Sequence, residues 1–239
     1  MPSMKERLQS MKIMVTSDLH GNLEGLDPKG ADVVVIAGDI ALLRGRGSWH
    51  VNKQREWINT QFHEWTESYS DIQFVIIPGN HDFFPIAHLL FKGMGFDWKY
   101  GFSPNVHFLS DAGTEINGIS FYGTPWVPII SYSWAFEGEH DTLRRWFSKI
   151  PTGLDVLVTH SPPRIPGSDV DRSLQTDSEH FGSSELTEAI AEKRPGLVFC
   201  GHIHTGLHGG VDFEGSRIYN VSRLDERYEI AYEPTWVDI

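Results

Sequence analysis

Five short stretches carry the side chains best able to do chemistry: Asp18-Leu19-His20, Gly38-Asp39, Gly79-Asn80-His81-Asp82, His160, and Gly201-His202-Ile203-His204. Each stands at the end of an apolar run, at 12–16, 32–37, 73–77, 154–159 and 197–200. Short apolar runs closed by turn residues read as buried strands. Polar groups just past the carboxyl ends of such strands are where α/β folds keep their chemistry. Strands sharing a sheet would gather these imidazoles, carboxylates and one amide along an edge. Mixed nitrogen and oxygen donors suit manganese, iron, zinc or cobalt better than calcium or magnesium. The set is larger than one cation uses, whereas two cations sharing a bridging carboxylate would employ it.

The elements that must position these groups change character along the chain. Early strands alternate with helices, the longest spanning about 51–68, with Ile58, Phe62, Trp65 and Tyr69 as an apolar stripe. A short helix is expected at 85–91, and further helices at 137–149 and 183–194, the last capped by Ser183 or Ser184. From residue 106 short runs punctuated by Asp-Ala-Gly and Asn-Gly read as antiparallel strands: 106–109, 115–117 and 119–122. Three more such runs, 208–213, 217–221 and 228–232, close the chain. Two packed sheets with helices outside follow, an α/β (α+β) fold in a four-layer α/β/β/α sandwich. Residues 1–11 read as a flexible leader and 12–239 as a single domain.

Composition narrows the function classes. Of 239 residues 40% are hydrophobic and 22% charged, ordinary for a soluble globular protein. No run approaches the roughly 18 apolar residues of a membrane span, and the start lacks a secretory signal. One cysteine, Cys200, forbids an internal disulfide, which fits a reducing, cytoplasmic setting. A formal net charge of −12 argues against stable nucleic-acid binding. It leaves room for a phosphate-bearing substrate, because bound cations reverse the local sign.

In this order the five elements resemble the signature D-x-H, G-D, G-N-H-[DE], H and G-H-x-H of the calcineurin-like metallophosphoesterases. One departure is Thr159 before His160, where the family commonly has glycine. Gly123-Thr124-Pro125-Trp126, Ser133-Trp134-Ala135-Phe136, Thr159-His160-Ser161-Pro162-Pro163 and Gly182-Ser183-x-x-Leu186 look like the metallophosphoesterase-domain-containing branch, a group of small intracellular phosphodiesterases. The resemblance implies Asp18, His20 and His204 on a first metal and Asn80, His160 and His202 on a second, with Asp39 bridging. It also implies two divalent transition-metal ions, manganese foremost, with iron, zinc, cobalt or nickel as alternatives. A metal-bridging hydroxide would attack a phosphodiester in a small or cyclic nucleotide-type substrate. His81 would be the general acid, with Asp82 orienting its imidazole. A phosphomonoesterase or protein phosphatase using the same site, and a non-catalytic metal- or nucleotide-binding scaffold, are the other readings.

The remaining candidates have plain alternatives. His50, His63, His107, His140 and His208 read as structural or surface residues, and His88 and His180 stay undecided. Cys200 reads as a buried apolar residue. Phe83, Phe84, Trp126 and Trp134 are base-stacking candidates or loop anchors. Arg164 and Arg172 are solvated charges or substrate guides. Asn22 is a turn cap or a phosphate contact.

Overall fold

The computed structural model describes residues 10–42, 48–86, 101–174 and 179–239. Among these, one sheet has five strands in the order β13-β1-β2-β3-β4: Thr235–Asp238, Lys12–Thr16, Val33–Ala37, Gln73–Ile77 and Val106–Phe108. Its neighbours are parallel except β13 against β1. A second sheet has six strands in the order β11-β12-β10-β9-β6-β5: Val211–Phe213, Ser216–Asn220, Leu197–Cys200, Val156–Thr159, Ile119–Thr124 and Ala112–Ile116. It is parallel through its middle and antiparallel at both edges. A two-stranded ribbon joins β7 (Val127–Pro128) to β8 (Glu137–Gly138).

The period-two alternation of parallel strands sends each strand's side chains both ways. Ile13, Val15, Val33, Val35, Val75 and Ile77 face Phe121, Val156, Val158 and Phe199 of the second sheet, in one core. Met14, Val34, Ile36, Phe74 and Ile76 face outward against α1 (Ser48–Trp57), a π-helical turn at Ile58–Phe62 and α2 (His63–Glu67), through Trp57, Ile58 and Phe62. Leu157, Val198 and Ile218 face outward beneath α3 (His140–Phe147) and α4 (Ser184–Lys193), through Leu143, Phe147, Leu186 and Ile190. Two mixed sheets with helices on both outer faces result, as the strand and helix pattern implies.

Several boundaries differ from the sequence reading. Met11, placed there in the leader, is buried and exchanges both backbone hydrogen bonds with Ile239. The run at 106–109 pairs in parallel with β3, so the first sheet gains it and only β5 and β6 form the antiparallel hairpin. Asn117 and Gly118, both at positive φ, make that hairpin's tight turn. Residues 228–232 form no strand, and their one ladder-type pairing is the isolated Leu224–Ile230 bridge; the closing strand is β13 instead. α4 begins after Ser183, whose hydroxyl accepts from the Leu186 N–H. The expected helix at 85–91 and His88 lie partly or wholly outside the described residues; residues 84–86 are helical.

One glycine sets how closely the sheets approach. A Cβ on Gly123 of β6 would stand 2.5 Å from Ile77 Cγ2 and 2.7 Å from Leu109 Cβ. Overpacking a core of this kind costs about 1–3 kcal/mol. Gly123→Ala is therefore expected to lower stability by that amount in urea unfolding, and an unchanged midpoint would mean the sheets part freely.

Candidate metal centre

Strands β1, β2, β3, β9 and β10 end on the same edge of the two facing sheets, and the expected groups meet there. Asp18, His20 and His204 bring one ligand-type atom each to within 4.8 Å of one another, as do Asp18, Asp39 and His160. Asp39 Oδ2 lies 3.3 Å from His160 Nε2 and 3.8 Å from His20 Nε2. His160 Nε2 also faces Asn80 Oδ1 at 2.9 Å, so the proton it carries sits where two acceptors converge. Asp18, Asp39, Asn80 and His160 are all buried. The His202 ring stands 5.1 Å from that of His160, outside the close groups, and its backbone N–H donates to the Asp18 carboxylate.

Local backbone geometry makes this crowding possible. Asp18, His20, Asp39 and His202 all take the left-handed conformation, φ between 44° and 70°. Such strain in non-glycine residues collects at functional sites. Gly38 turns at φ 98°, and a Cβ there would meet His160 Nδ1 at 2.3 Å. On Gly79 it would meet Asp39 Oδ1 at 2.2 Å, and on Gly201 Ser17 Oγ at 2.0 Å. Gly79 and Gly201 thus serve close approach, and Gly38 serves both approach and turn.

His81 and Asp82 part company in the structure. His81 Nε2 is 3.9 Å from Asp39 Oδ2, its backbone N–H donates to Asp39 Oδ1 at 2.8 Å, and its ring lies 4.2 Å from that of Trp134. It stands close enough to His20 and Asp39 to form a third ligand-type group. Asp82, expected to orient His81, instead accepts from the backbone N–H groups of Ile40, Ala41 and Gly79 at 3.0, 2.9 and 2.8 Å. It ties the turn after β3 to the turn after β2. Backbone partners are invisible to side-chain spacing, which is why adjacency to His81 suggested the other role.

Electrostatics divides the histidines into two kinds. Burial opposes charge on His160, but the charges of Asp39 and Asp18 outweigh it and raise the imidazole to about 9. His204 rises to about 9 for the same reason, held by Asp18 against burial. Burial lowers His20 to about 4, and burial with the positive His160 lowers His202 to about 3. Asp39 stays well below the usual carboxylate range, because His160 and His81 offset its burial. Asp82 is pushed up to about 7 by burial and by Asp39, against its three backbone donors.

Other candidates settle into supporting places. Trp126 stacks on Trp146 and donates to Asp111, and Phe84 is fully buried, so both are anchors. Trp134 alone of the four aromatics touches the site, with Phe83 behind it at 6.2 Å. Asn22 caps a turn through Glu24 N–H, and Arg172 pairs with Asp169. Arg164 and His180 line a cavity of about 640 Å³ that none of the nine site candidates lines. Cys200 is buried, its thiol pushed well up by burial.

Three residues that the sequence reading passed over hold the site. Gln54, 2% exposed, donates from Nε2 to the His81 carbonyl and accepts the Phe83 N–H. It continues the Ile58–Phe62 stripe at four-residue spacing, and a polar residue on that stripe was the available signal. Asp225 offers its carbonyl to His204 Nδ1 at 2.8 Å, and Tyr228 sets its ring 4.9 Å from that of His20.

Residues 11–206 match the family of calcineurin-like phosphoesterases. The human and mouse proteins named metallophosphoesterase domain-containing protein 1 are each 27% identical over 249 residues, covering 95% of this chain and 71% of theirs. A UPF0046 protein of Caenorhabditis elegans is 23% identical over 237 residues, covering 94% of this chain and 73% of its own. The crystal structure of TT1561 from Thermus thermophilus has a TM-score of 0.55 at 16% identity, covering 89% of each chain, a likeness of fold.

Two outcomes follow from the geometry. Asp82→Asn would turn an N–H donor toward backbone donors, and is expected to cost about 2–4 kcal/mol in urea unfolding of chelator-treated protein. Normal stability would return Asp82 to the orienting role. In the same cation-free protein, the stabilisation from His160 and His204 is complete below about 6.5 and lost as pH rises through about 9. His20 and His202, held neutral, weaken the fold as pH falls from 6.5 toward 4, because the unfolded chain gains protons that the fold refuses. The thermal midpoint should therefore peak near neutral pH, and a flat alkaline limb would contradict the His160–Asp39 and His204–Asp18 pairings.

Proposed function

The chain belongs to the calcineurin-like phosphoesterase family, and from that premise we propose that it hydrolyses phosphodiester bonds in a small nucleotide-type substrate at a dinuclear metal centre. The observation that carries this reading is the place of Asp39 Oδ2, with Nε2 atoms of His160, His20 and His81 at 3.3, 3.8 and 3.9 Å around it. A carboxylate so surrounded suits a bridge between two cations. On one side Asp18, His20 and His204 would hold the first metal. On the other Asn80, His160 and His202 would hold the second.

The residues fit cations on their own evidence. Both ring nitrogens of His20 are buried without a hydrogen-bond partner, a costly arrangement that a bound cation relieves for a ligand. His160 Nδ1 faces the Ala37 carbonyl at 2.9 Å and His204 Nδ1 the Asp225 carbonyl at 2.8 Å. Each bond leaves Nε2 directed at a carboxylate, the way a backbone carbonyl commonly orients a metal-bound histidine. Two divalent cations supply charge neutralisation at the phosphoryl oxygens and a water acidic enough to attack near neutral pH.

His81 would protonate the leaving alkoxide oxygen. Its ring is set by Trp134 and its backbone by Asp39 and Gln54, so it is aimed without help from Asp82. Burial holds its pKa below the ordinary histidine value, which makes its imidazolium a stronger acid and a scarcer one at neutral pH. Preference for diesters is supported by the resemblance to the small-phosphodiesterase branch.

The test is a manganese-supplemented panel on chelator-stripped protein, comparing an aryl diester, an aryl monoester, and 2′,3′- and 3′,5′-cyclic nucleotides. Diester turnover should exceed monoester turnover. Asp39→Asn should lower bound metal from two equivalents and cut the rate by at least about 100-fold. Turnover of the monoester alone would reassign the protein as a phosphomonoesterase. Two bound metals with no turnover would favour the scaffold reading.

A further inference from the structure

The Tyr228 ring stands 4.9 Å from that of His20 and 5.5 Å from that of His204, nearly perpendicular to both. The His20 ring is in turn 4.9 Å from His81, and His81 is 4.2 Å from Trp134. Trp134, His81, His20 and Tyr228 thus form one unbroken row of ring contacts, an aromatic residue at each end and two imidazoles between.

Packing does not account for Tyr228, which is 43% exposed. It sits at φ 62°, a conformation unfavourable for a bulky side chain. The turn that imposes this is built with care. Asp225 Oδ1 accepts from the N–H groups of Arg227 and Glu229 at 2.8 and 3.0 Å. The Tyr228 N–H donates to the Asp225 carbonyl at 2.9 Å, the same carbonyl that His204 Nδ1 faces. The turn presenting Tyr228 is therefore keyed to the site itself. Backbone strain held in place by such a network is characteristic of ligand-contacting positions.

We propose that Tyr228 is a specificity-determining residue which provides a stacking face for a nucleobase beside the site, so that the substrates are nucleoside phosphodiesters. This rests on the phosphodiesterase reading of the adjoining site. Stacking on an aromatic side chain tolerates any base. The formal net charge of −12 disfavours a long polynucleotide.

The experiment compares two diesters with one leaving group, p-nitrophenyl thymidine 5′-phosphate and p-nitrophenyl methyl phosphate, on the manganese-loaded chain, Tyr228→Leu and Tyr228→Phe. Metal content and thermal midpoint are measured for each. Tyr228→Leu should raise KM for the nucleoside ester about tenfold more than for the methyl ester, and Tyr228→Phe, which keeps the ring, should restore most of the difference. Equal losses on both esters with normal metal content would overturn the proposal, leaving Tyr228 a cover for His20 and His204. Calorimetric titration with thymidine 5′-monophosphate and methyl phosphate reads the same preference without turnover. Failure to hydrolyse either diester would sink the phosphodiesterase reading, whereas equal binding of the two monoesters to the unmutated protein would sink the role of Tyr228.

Discussion

The Asp39 carboxylate is the constraint around which the site is arranged. It is 2% exposed, and a buried charge in this setting is tolerable only with hydrogen bonds and opposite charge at close range. The His81 backbone N–H satisfies one oxygen and the His160 imidazolium faces the other. Neither partner reaches it unless Gly79 lacks a side chain, since a Cβ there would overlap Asp39 Oδ1. Asp39 follows a strand of the first sheet and His160 a strand of the second, so their contact also joins the two layers at the edge. His160 strengthens that joint through Nδ1 and the Ala37 carbonyl. The Ser17–Ser222 bridge crosses between the layers beside it.

The cost of that arrangement is spread over the backbone. Four candidate site residues sit at positive φ, a conformation the chain keeps only where its surroundings over-determine it. Asp82 provides much of the determination. By accepting three N–H groups it makes the turns after β2 and β3 a single unit, and Gln54 locks the second of those turns to α1. The helix whose apolar stripe covers the outer face of the first sheet therefore also fixes His81. Packing and site geometry share the same side chains, so a change in α1 well away from the carboxylates bears on where His81 points.

What the sequence made legible follows from which interactions leave a pattern. The strand ends carrying Asp18, Asp39, Asn80, His160 and His204 were readable because a buried parallel strand is an apolar run with a sharp end. The long helix was readable from the Ile58 and Phe62 spacing, although the π turn at those residues was not, since residues four apart share a face in either kind of turn. The closing strand was missed because Thr235–Asp238 lies at a sheet edge with alternate side chains exposed. It owes its place to pairing with β1 rather than to its own composition. The role of Asp82 was missed for a related reason. Its partners are main-chain groups, which every sequence supplies equally. Tyr228 left no trace because its partners His20 and His204 are remote from it in the chain.

Charge gives the proposed chemistry its logic. Asp18 and Asp39 are buried in a chain of formal net charge −12, so without cations the edge of the sheets offers no net positive charge to a phosphate. In the cation-free state His160 and His204 hold protons against burial, and those two positive charges are what keeps the carboxylates ionised. The protonated nitrogens are the same Nε2 atoms that face Asp39 and Asp18, so a proton and a cation would compete for these ligand atoms. Exchanging single positive charges for divalent ones would turn the local sign positive toward an anionic substrate. A phosphoesterase built this way needs no basic surface to attract its phosphate ester. It needs a buried pair of carboxylates, and two sheets rigid enough to keep them ionised in either state.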